Sequence, residues 1–283
     1  MARLSRLALA VPAALGVLLP GPAASQWVEP GGSGWTSLSV YHQDTSDVFG
    51  IDGDRETFPG RGRTVATSAF FTVAMGIGKG WDFWAQAPLL RLSFEDIFTG
   101  VQESTGIGDA RLYVRAAPLS WLGSPLPLAI RGGVKLPVGD FDVGTSLIPL
   151  GDGQRDWELM LELGHSFYPR PIYAMGWAGY RWREARVPGR QEFGNEWFFY
   201  TAAGGETRLF GWKIALEGWY GGTPVFDGIL ATGLERELVR VSPTMLLSLG
   251  PGQVEFGGRF PLSGQNLPAG PDWIAGYFTR FGF

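Results

Sequence analysis

The 283-residue chain lacks cysteine, which excludes disulfides, thiol catalysis and thiolate metal sites. Charge is also scarce, because only 18% of the residues are charged, against roughly 25% in ordinary soluble domains. The formal net charge of −4 provides no basic surface, so we expect no nucleic-acid partner. Aromatic residues and glycine are abundant instead, with 12 Trp, 19 Phe, 8 Tyr and 43 Gly. This balance is unusual for a soluble enzyme with a single core.

The N-terminal segment has the pattern of an export signal. Arg3 and Arg6 precede the apolar run LALAVPAALGVLLP, and small residues lead up to Ser25. We predict a secretory signal peptide over residues 1–25, cleaved after Ser25. A membrane anchor is the alternative, but prolines interrupt the run and it is short for a spanning helix.

Residues beyond position 25 contain no run of roughly 18 apolar residues, the length that a membrane-spanning helix requires. Apolar residues recur at every second position instead, which is typical of strands with two different faces. Segments such as AFFTVAMGI, WDFWAQAPL, WELMLEL and WKIALEGWY show this alternation. We predict about twelve strands, with unassigned registers near 35–43, 171–183 and 193–207.

The connections between these strands alternate in length. Tight turns are predicted at GIGKG, YPRP, RLFG and GPG, and the segment 117–126 is a longer exception. Longer polar loops are predicted at about 44–62, 94–107, 138–155, 184–192, 222–234 and 263–270. Short periplasmic turns and long outer loops are typical of outer-membrane barrels.

We therefore predict an all-β fold, a transmembrane antiparallel up-and-down β-barrel that residues 26–283 form as one domain. An exported soluble β-sandwich would show similar alternation but would bury its aromatic residues in a core. A closed barrel leaves no strand edge unpaired in lipid, which favours the barrel. We expect a multi-pass protein of the bacterial outer membrane, surrounded by outer-membrane lipids and lipopolysaccharide.

Charged side chains on the faces opposite the apolar sets are predicted to line the lumen. One interpretation is a charged field that orients small polar solutes. The other is that these charges pair with one another and plug the barrel. The predicted pore-lining residues are Arg111, Arg115, Arg131, Lys135, Glu158, Glu162, Glu217, Arg240 and Arg259.

Catalytic candidates are few, since the chain has only two histidines. His165 and Ser166 are adjacent, so a strand directs them to opposite faces. His42 lies near Asp44 and Asp47 at the first outer loop, where a histidine is usually only solvated. We predict no catalytic residues, no metal and no cofactor.

The segment WIAGYFTRFGF at the end of the sequence forms a ladder on every second position, which includes the aromatic residues Trp273, Tyr277, Phe281 and Phe283. We predict a lipid-facing strand that closes the barrel against the first strand. Tyr277, Phe281 and Phe283 lie on one face of it and resemble the terminal signal recognised by the outer-membrane assembly machinery.

Four glycine-rich segments carry a resemblance to a known family. They are TGIGDARLYVRAAPL, GVKLPVGDF, GTSLIPLGDGQRDWELMLELGHSF and RFPLSGQNLP. Together they resemble the "MetA-pathway of phenol degradation" group of outer-membrane barrel proteins, over about residues 64–283. The resemblance implies a barrel that passes small molecules, aromatic or hydrophobic ones included, and it supplies no catalytic residues.

The functional expectation is a channel or transporter that passes a small-molecule solute through the lumen, with outer loops such as 138–155 acting as a gate. An outer-membrane lipase or protease is one alternative, and a plugged structural barrel is another.

Overall fold

The structure is a computed structural model that describes residues 28–124, 126–139, 148–185 and 191–282. The predicted signal peptide and Phe283 lie outside these residues. Two short 3-10 helices occur in the described part, Pro59–Arg61 and Pro118–Leu122. None of the helices there is long and apolar enough to cross a membrane.

The described residues form nineteen strands. In chain order they are β1 (Ser33–Thr45), β2 (Asp47–Phe49), β3 (Arg55–Thr57), β4 (Arg63–Gly78), β5 (Trp81–Asp96), β6 (Gly100–Ile107), β7 (Ala110–Ala116), β8 (Leu128–Leu136), β9 (Gln154–Ser166), β10 (Ile172–Ala185), β11 (Gln191–Glu192), β12 (Glu196–Glu206), β13 (Phe210–Gly221), β14 (Val225–Phe226), β15 (Ile229–Leu230), β16 (Glu237–Leu249), β17 (Gly252–Gln265), β18 (Leu267–Pro268) and β19 (Asp272–Gly282).

Thirteen of these strands form one antiparallel sheet that closes on itself. β6 and β7 pair with successive parts of β5, so they act as two halves of one wall strand and the barrel has twelve. The barrel closes where β19 pairs with β1, from Gln43 opposite Asp272 to Ser33 opposite Gly282. The predicted twelve-stranded barrel, closed by its last strand, is confirmed.

The barrel exterior is apolar along the strands, as the alternation predicted. Leu161 on β9 and Ile214 on β13 are each about half exposed, with relative accessibilities of 51% and 52%. The residues beside them in sequence point inward, and Glu162 and Ala215 are buried. Water would solvate such an exterior poorly, whereas lipid matches it. The molecule is thus a multi-pass β-barrel of the bacterial outer membrane.

The two ends of the barrel differ in their connections. Five connections lie at the end where β1 begins and β19 ends, and four of them are tight turns, as predicted. The fifth links β7 to β8 and contains the second 3-10 helix. Longer connections emerge at the opposite end, which identifies that end as extracellular.

One predicted outer loop, at 94–107, is wrong. β5 continues to Asp96 and β6 begins at Gly100, so only three residues separate the paired strands. Both faces of this hairpin carry polar residues such as Gln102 and Glu103. Polar residues on both faces of β6 remove the alternation of polarity that identifies a membrane strand.

The first extracellular loop folds back over the barrel mouth. β2 pairs with β3 and with β18, forming a small sheet of its own. Phe49, at the end of β2, is buried against Leu238 and Ala269, with Trp219 packed beside them. The mouth is therefore partly covered by apolar packing.

Candidate functional site

The inner wall carries a network of ion pairs on adjacent strands, and its part nearest the periplasm centres on Arg115. The Arg115 guanidinium donates to Asp82 at 2.6 Å and to Glu162 at 3.1 Å. Arg131 on the next strand contacts the same Glu162 carboxylate at 2.7 Å. All four side chains are buried, so each charge depends on its partners for stabilisation.

Arg131 also lies among aromatic rings. Its guanidinium carbon is 4.7 Å from the ring centroid of Trp84 and 5.1 Å from that of Tyr113. Trp177 on β10 lies on another side, at 5.7 Å. The faces of aromatic rings attract cations, so these rings position the guanidinium inside the lumen.

Nearer the extracellular end, the network centres on Lys135. Its ammonium contacts Asp152 at 2.8 Å, Asp156 at 2.9 Å and Asp109 at 3.2 Å. Lys135 has a relative accessibility of 2% and Asp156 of 0%. Inward side chains this buried show that the lumen is filled along this part of the wall.

Two arginines of β10 extend the network to β12. Arg181 pairs with Glu158 at 2.8 Å and with Glu196, and Arg183 pairs with Asp156 at 3.2 Å and Glu196 at 3.0 Å. Because Asp156 and Glu196 are each shared between cations, these charges form a continuous layer across the four wall strands β8, β9, β10 and β12.

A second cluster occupies another part of the wall. Arg240 contacts Glu217 at 2.6 Å and Asp272 at 3.2 Å. Arg259 contacts the same Asp272 at 2.6 Å and lies 4.0 Å from the ring centroid of Tyr41. The lumen therefore has one charged cluster on the wall strands from β5 to β12 and another on those from β13 to β19.

All nine predicted lumen residues lie on the inner face, and eight of them form ion pairs with the other inward charges. Arg111 instead donates to Gln86 at 3.4 Å. The observed contacts are thus ion pairs, and both interpretations of these residues, as a lining that orients solutes or as a plug, stay predictions.

Several partners in the network were not among the predicted residues. Asp156 lies two positions before Glu158 and shares its face, so the same alternation could have found it. In the same way, Asp82 lies two positions before Trp84 in the segment WDFW and shares its face. Arg181 and Arg183 required the register of β10, which the sequence left unassigned.

Three of the glycine-rich segments quoted above meet at Asp109. Its carboxylate accepts hydrogen bonds from the backbone N–H of Gly139 at 3.2 Å and of Asp152 at 3.1 Å. A Cβ added to Gly151 would lie 2.3 Å from this carboxylate, so the close approach requires glycine. Asp109 thus ties the loop after β8 to the wall.

We use the name strap for residues 148–153, the described part of that loop just before β9. The strap's Leu150 is nearly buried, and a Cβ added to Gly106 would lie 2.7 Å from its Cδ1 atom. The strap's Asp152 contacts Lys135 and also Arg183, at 2.5 Å. This short segment is therefore held by apolar contact at Leu150 and by charge at Asp152.

The ionisation of Asp152 is set by its cationic surroundings. Burial alone would raise the pKa of this loop carboxyl, but the charges of Arg183, Lys135 and Arg236 outweigh it and hold the pKa below its ordinary value. The carboxylate is therefore charged at neutral and mildly acidic pH, when the strap contact is fully formed.

An apolar inner surface lies beside the strap in the extracellular half. Alternation along β5 places Leu90, Leu92 and Phe94 inward, on the same face as Gln86, which donates to Thr72. Phe58 from the first loop packs edge-on against Phe94, with ring centroids 5.7 Å apart. Phe70 on β4 adds a further inward ring, against Tyr41.

Both histidines lie on the outer face. His42 forms a 2.9 Å hydrogen bond with Thr67, and His165 packs edge-on against Phe167. Asp44 and Asp47 are paired with Arg63 and Arg55, respectively. These contacts provide no catalytic arrangement around either histidine.

Comparison with solved structures supports the barrel class. The COG4313 outer membrane channel from Pseudomonas putida F1 is similar, with a TM-score of 0.73 and 14% identity over 93% of this chain and 100% of that one. The beta domain of the Bordetella autotransporter BrkA gives 0.50 and 12%, over 89% and 100%. The translocator domain of NalP from Neisseria meningitidis gives 0.50 and 10%, over 98% of each chain. No protein-family model and no curated protein matches the chain.

Proposed function

We propose that this barrel passes small apolar or aromatic molecules across the outer membrane through its lumen. The observation that carries the proposal is the apolar inner surface of Leu90, Leu92, Phe94 and Phe58 in the extracellular half. The interior of a porin-type aqueous channel is polar, so a wall of leucine and phenylalanine is not expected there. Such a wall would stabilise an apolar solute by about 25 cal/mol for each Å² removed from water.

The strap stands between this surface and the charged network. A solute that enters from outside meets the apolar surface and then Leu150, which packs at its edge. Passage toward the periplasm requires movement of the strap, because Asp152 bonds it to Lys135 and Arg183. The strap is thus the proposed gate, and eight of the nine predicted lumen charges belong to the ion pairs beneath it or to the second cluster.

The wider assignment is part of the same proposal. Residues 1–25 act as the signal peptide and residues 26–283 as the barrel domain. Outer-membrane lipids and lipopolysaccharide surround the barrel, and Tyr277, Phe281 and Phe283 form the signal for the assembly machinery. Trp273 on the same strand is 59% exposed and shares the parity of Tyr277, which supports an outward aromatic face on β19. The barrel acts by passage and not by catalysis.

The test replaces apolar side chains of the inner surface by amides. The double variant Leu92→Asn, Phe94→Asn is reconstituted in liposomes, and uptake of a monocyclic aromatic hydrocarbon is compared with uptake of a small polar amino acid. We expect at least a tenfold loss of aromatic uptake and little change for the polar solute. The matched control is Leu246→Asn, which places the same amide inward on β16, near the periplasmic end.

A plugged structural barrel is the second candidate, favoured by the burial of Lys135 and Asp156. It predicts no flux of either solute in the unaltered protein, and no effect of the double variant. An equal loss of uptake for both solutes in the double variant would also contradict the apolar route.

A further inference from the structure

The link between β7 and β8 differs from the other periplasmic connections. It contains the 3-10 helix Pro118–Leu122, and the sequence from Ala116 to Ile130 includes no charged residue. Leu122 has a relative accessibility of 81%, and Trp121 and Leu126 are also exposed. Three large apolar side chains at the surface of a water-filled compartment would be unfavourable.

The geometry places this link on the outside of the barrel wall. Trp81 begins β5 and points outward on the lipid-facing side with Leu89. The ring of Trp121 packs on that of Trp81, with centroids 5.4 Å apart and planes inclined by 30°. Since Trp81 faces outward, a ring stacked on it must lie outside the barrel, at the periplasmic edge of the apolar band.

The link is also fixed to the neighbouring turn. The Trp121 indole N–H donates to the carbonyl of Lys79 at 2.7 Å, and the Ala117 N–H donates to that of Gly80 at 2.8 Å. Gly80 has a φ of +76°, and an added Cβ would lie 2.8 Å from the Trp121 nitrogen. The two connections therefore form one unit, held by polar contacts that leave the apolar side chains pointing away.

We propose that this link is a membrane anchor, with Trp121, Leu122 and Leu126 inserted in the periplasmic leaflet of the outer membrane. The occupant of the surface is lipid, because the surface continues the lipid-facing band through Trp81. Tryptophan is enriched at bilayer interfaces, where its ring is apolar and its N–H finds a polar partner. Lys79 and Arg170 lie in the two neighbouring periplasmic turns, where cations complement anionic headgroups.

The absence of cysteine from the chain makes the test direct. A single Leu122→Cys substitution is labelled with a nitroxide in vesicles of phosphatidylethanolamine and phosphatidylglycerol. Its relaxation by oxygen, which concentrates in lipid, is compared with that by a water-soluble nickel chelate. Ile214→Cys provides the lipid reference, and Arg170→Cys, in an exposed periplasmic turn, provides the aqueous one.

We expect oxygen to relax the label at position 122 more strongly than nickel does. The ratio of the two relaxation rates should differ clearly from that at position 170 and approach that at position 214. A label at 122 that behaves like the one at 170 would overturn the proposal. Protection from nickel in native outer membranes but not in pure lipid vesicles would also overturn it, because it would identify a protein as the partner. Heat-dependent gel mobility confirms that each labelled variant is folded.

Discussion

The Asp152→Asn substitution tests the gate most directly, because it removes one charge and leaves the shape of the strap. Asp152 is bonded to Lys135 at 2.8 Å and to Arg183 at 2.5 Å. Asp109 and Asp156 still neutralise Lys135 in the variant, and Glu196 and Asp156 still neutralise Arg183. The wall network should therefore stay folded while the strap loses its ionic contacts.

The size of the effect follows from the two contacts. A hydrogen bond to a charged group contributes about 1.5–3 kcal/mol. The Asp152 side chain is about one-third exposed, at 32%, so water screens part of its charge and the lower value applies. Two such contacts give about 3 kcal/mol, which is the most that the substitution removes, because the asparagine carbonyl oxygen still accepts a hydrogen bond from a cation. This limit corresponds to roughly a hundredfold increase in the ratio of released to attached strap.

The measurement is the fraction of time that single barrels conduct in planar bilayers. We expect that the ratio of conducting to non-conducting time rises in Asp152→Asn, at most by roughly a hundredfold from the energy above. Asp54→Asn removes an exposed acid from a different extracellular loop and should leave the ratio unchanged. Equal traces from Asp152→Asn and the unaltered protein would refute the strap as the gate.

The remaining predictions concern pH, the lipid face and assembly. The cationic neighbours of Asp152 lower its pKa, so the strap contact is fully formed above the ordinary carboxyl pKa. The contact is lost only as pH falls through the lowered pKa. The fraction of time that the barrel is open should therefore stay constant between pH 8 and pH 5. Leu161→Arg puts a cation on the lipid face near the middle of β9 and should lower the free energy of unfolding by about 2–4 kcal/mol, measured by urea titration in vesicles. Arg155, outward at the end of the same strand, gives the control Arg155→Lys. Deleting Phe283 should reduce the amount of heat-modifiable barrel in outer membranes more than it reduces flux per assembled barrel.

Much of the barrel could be predicted because a membrane imposes different chemistry on the two faces of a strand. Leu159, Glu158 and Leu161 show the alternation plainly, and the structure places them on the expected faces. β10 defeats the same reasoning, since Tyr180 and Trp182 point outward while Trp177 points into the lumen. Because aromatic residues lie on both faces, the sequence does not reveal the register of β10. The inward positions of Arg181 and Arg183 could therefore not be predicted.

The strap could not be predicted from strand alternation, because its contacts join distant parts of the chain. Asp109 and Asp152 are 43 positions apart, yet the backbone N–H of one donates to the carboxylate of the other. The sequence contains the glycines that permit this approach but not the direction in which the loop folds. Only the three-dimensional arrangement shows that Gly139 and Gly151 surround the same carboxylate.

The apolar contact of the strap and its ionic contacts are unequal, and this difference determines which of them controls the lumen. Burial of a leucine side chain such as Leu150 contributes about 1.5–3 kcal/mol, and an apolar solute that took its place would recover a similar amount. The replacement of Leu150 by an apolar solute at that position therefore changes the free energy little, and it cannot by itself release the strap. The ionic contacts of Asp152 have no counterpart in an apolar solute, so their strength sets the proportion of closed barrels. The apolar surface would then select the solute, while the charge layer would set how often the lumen opens.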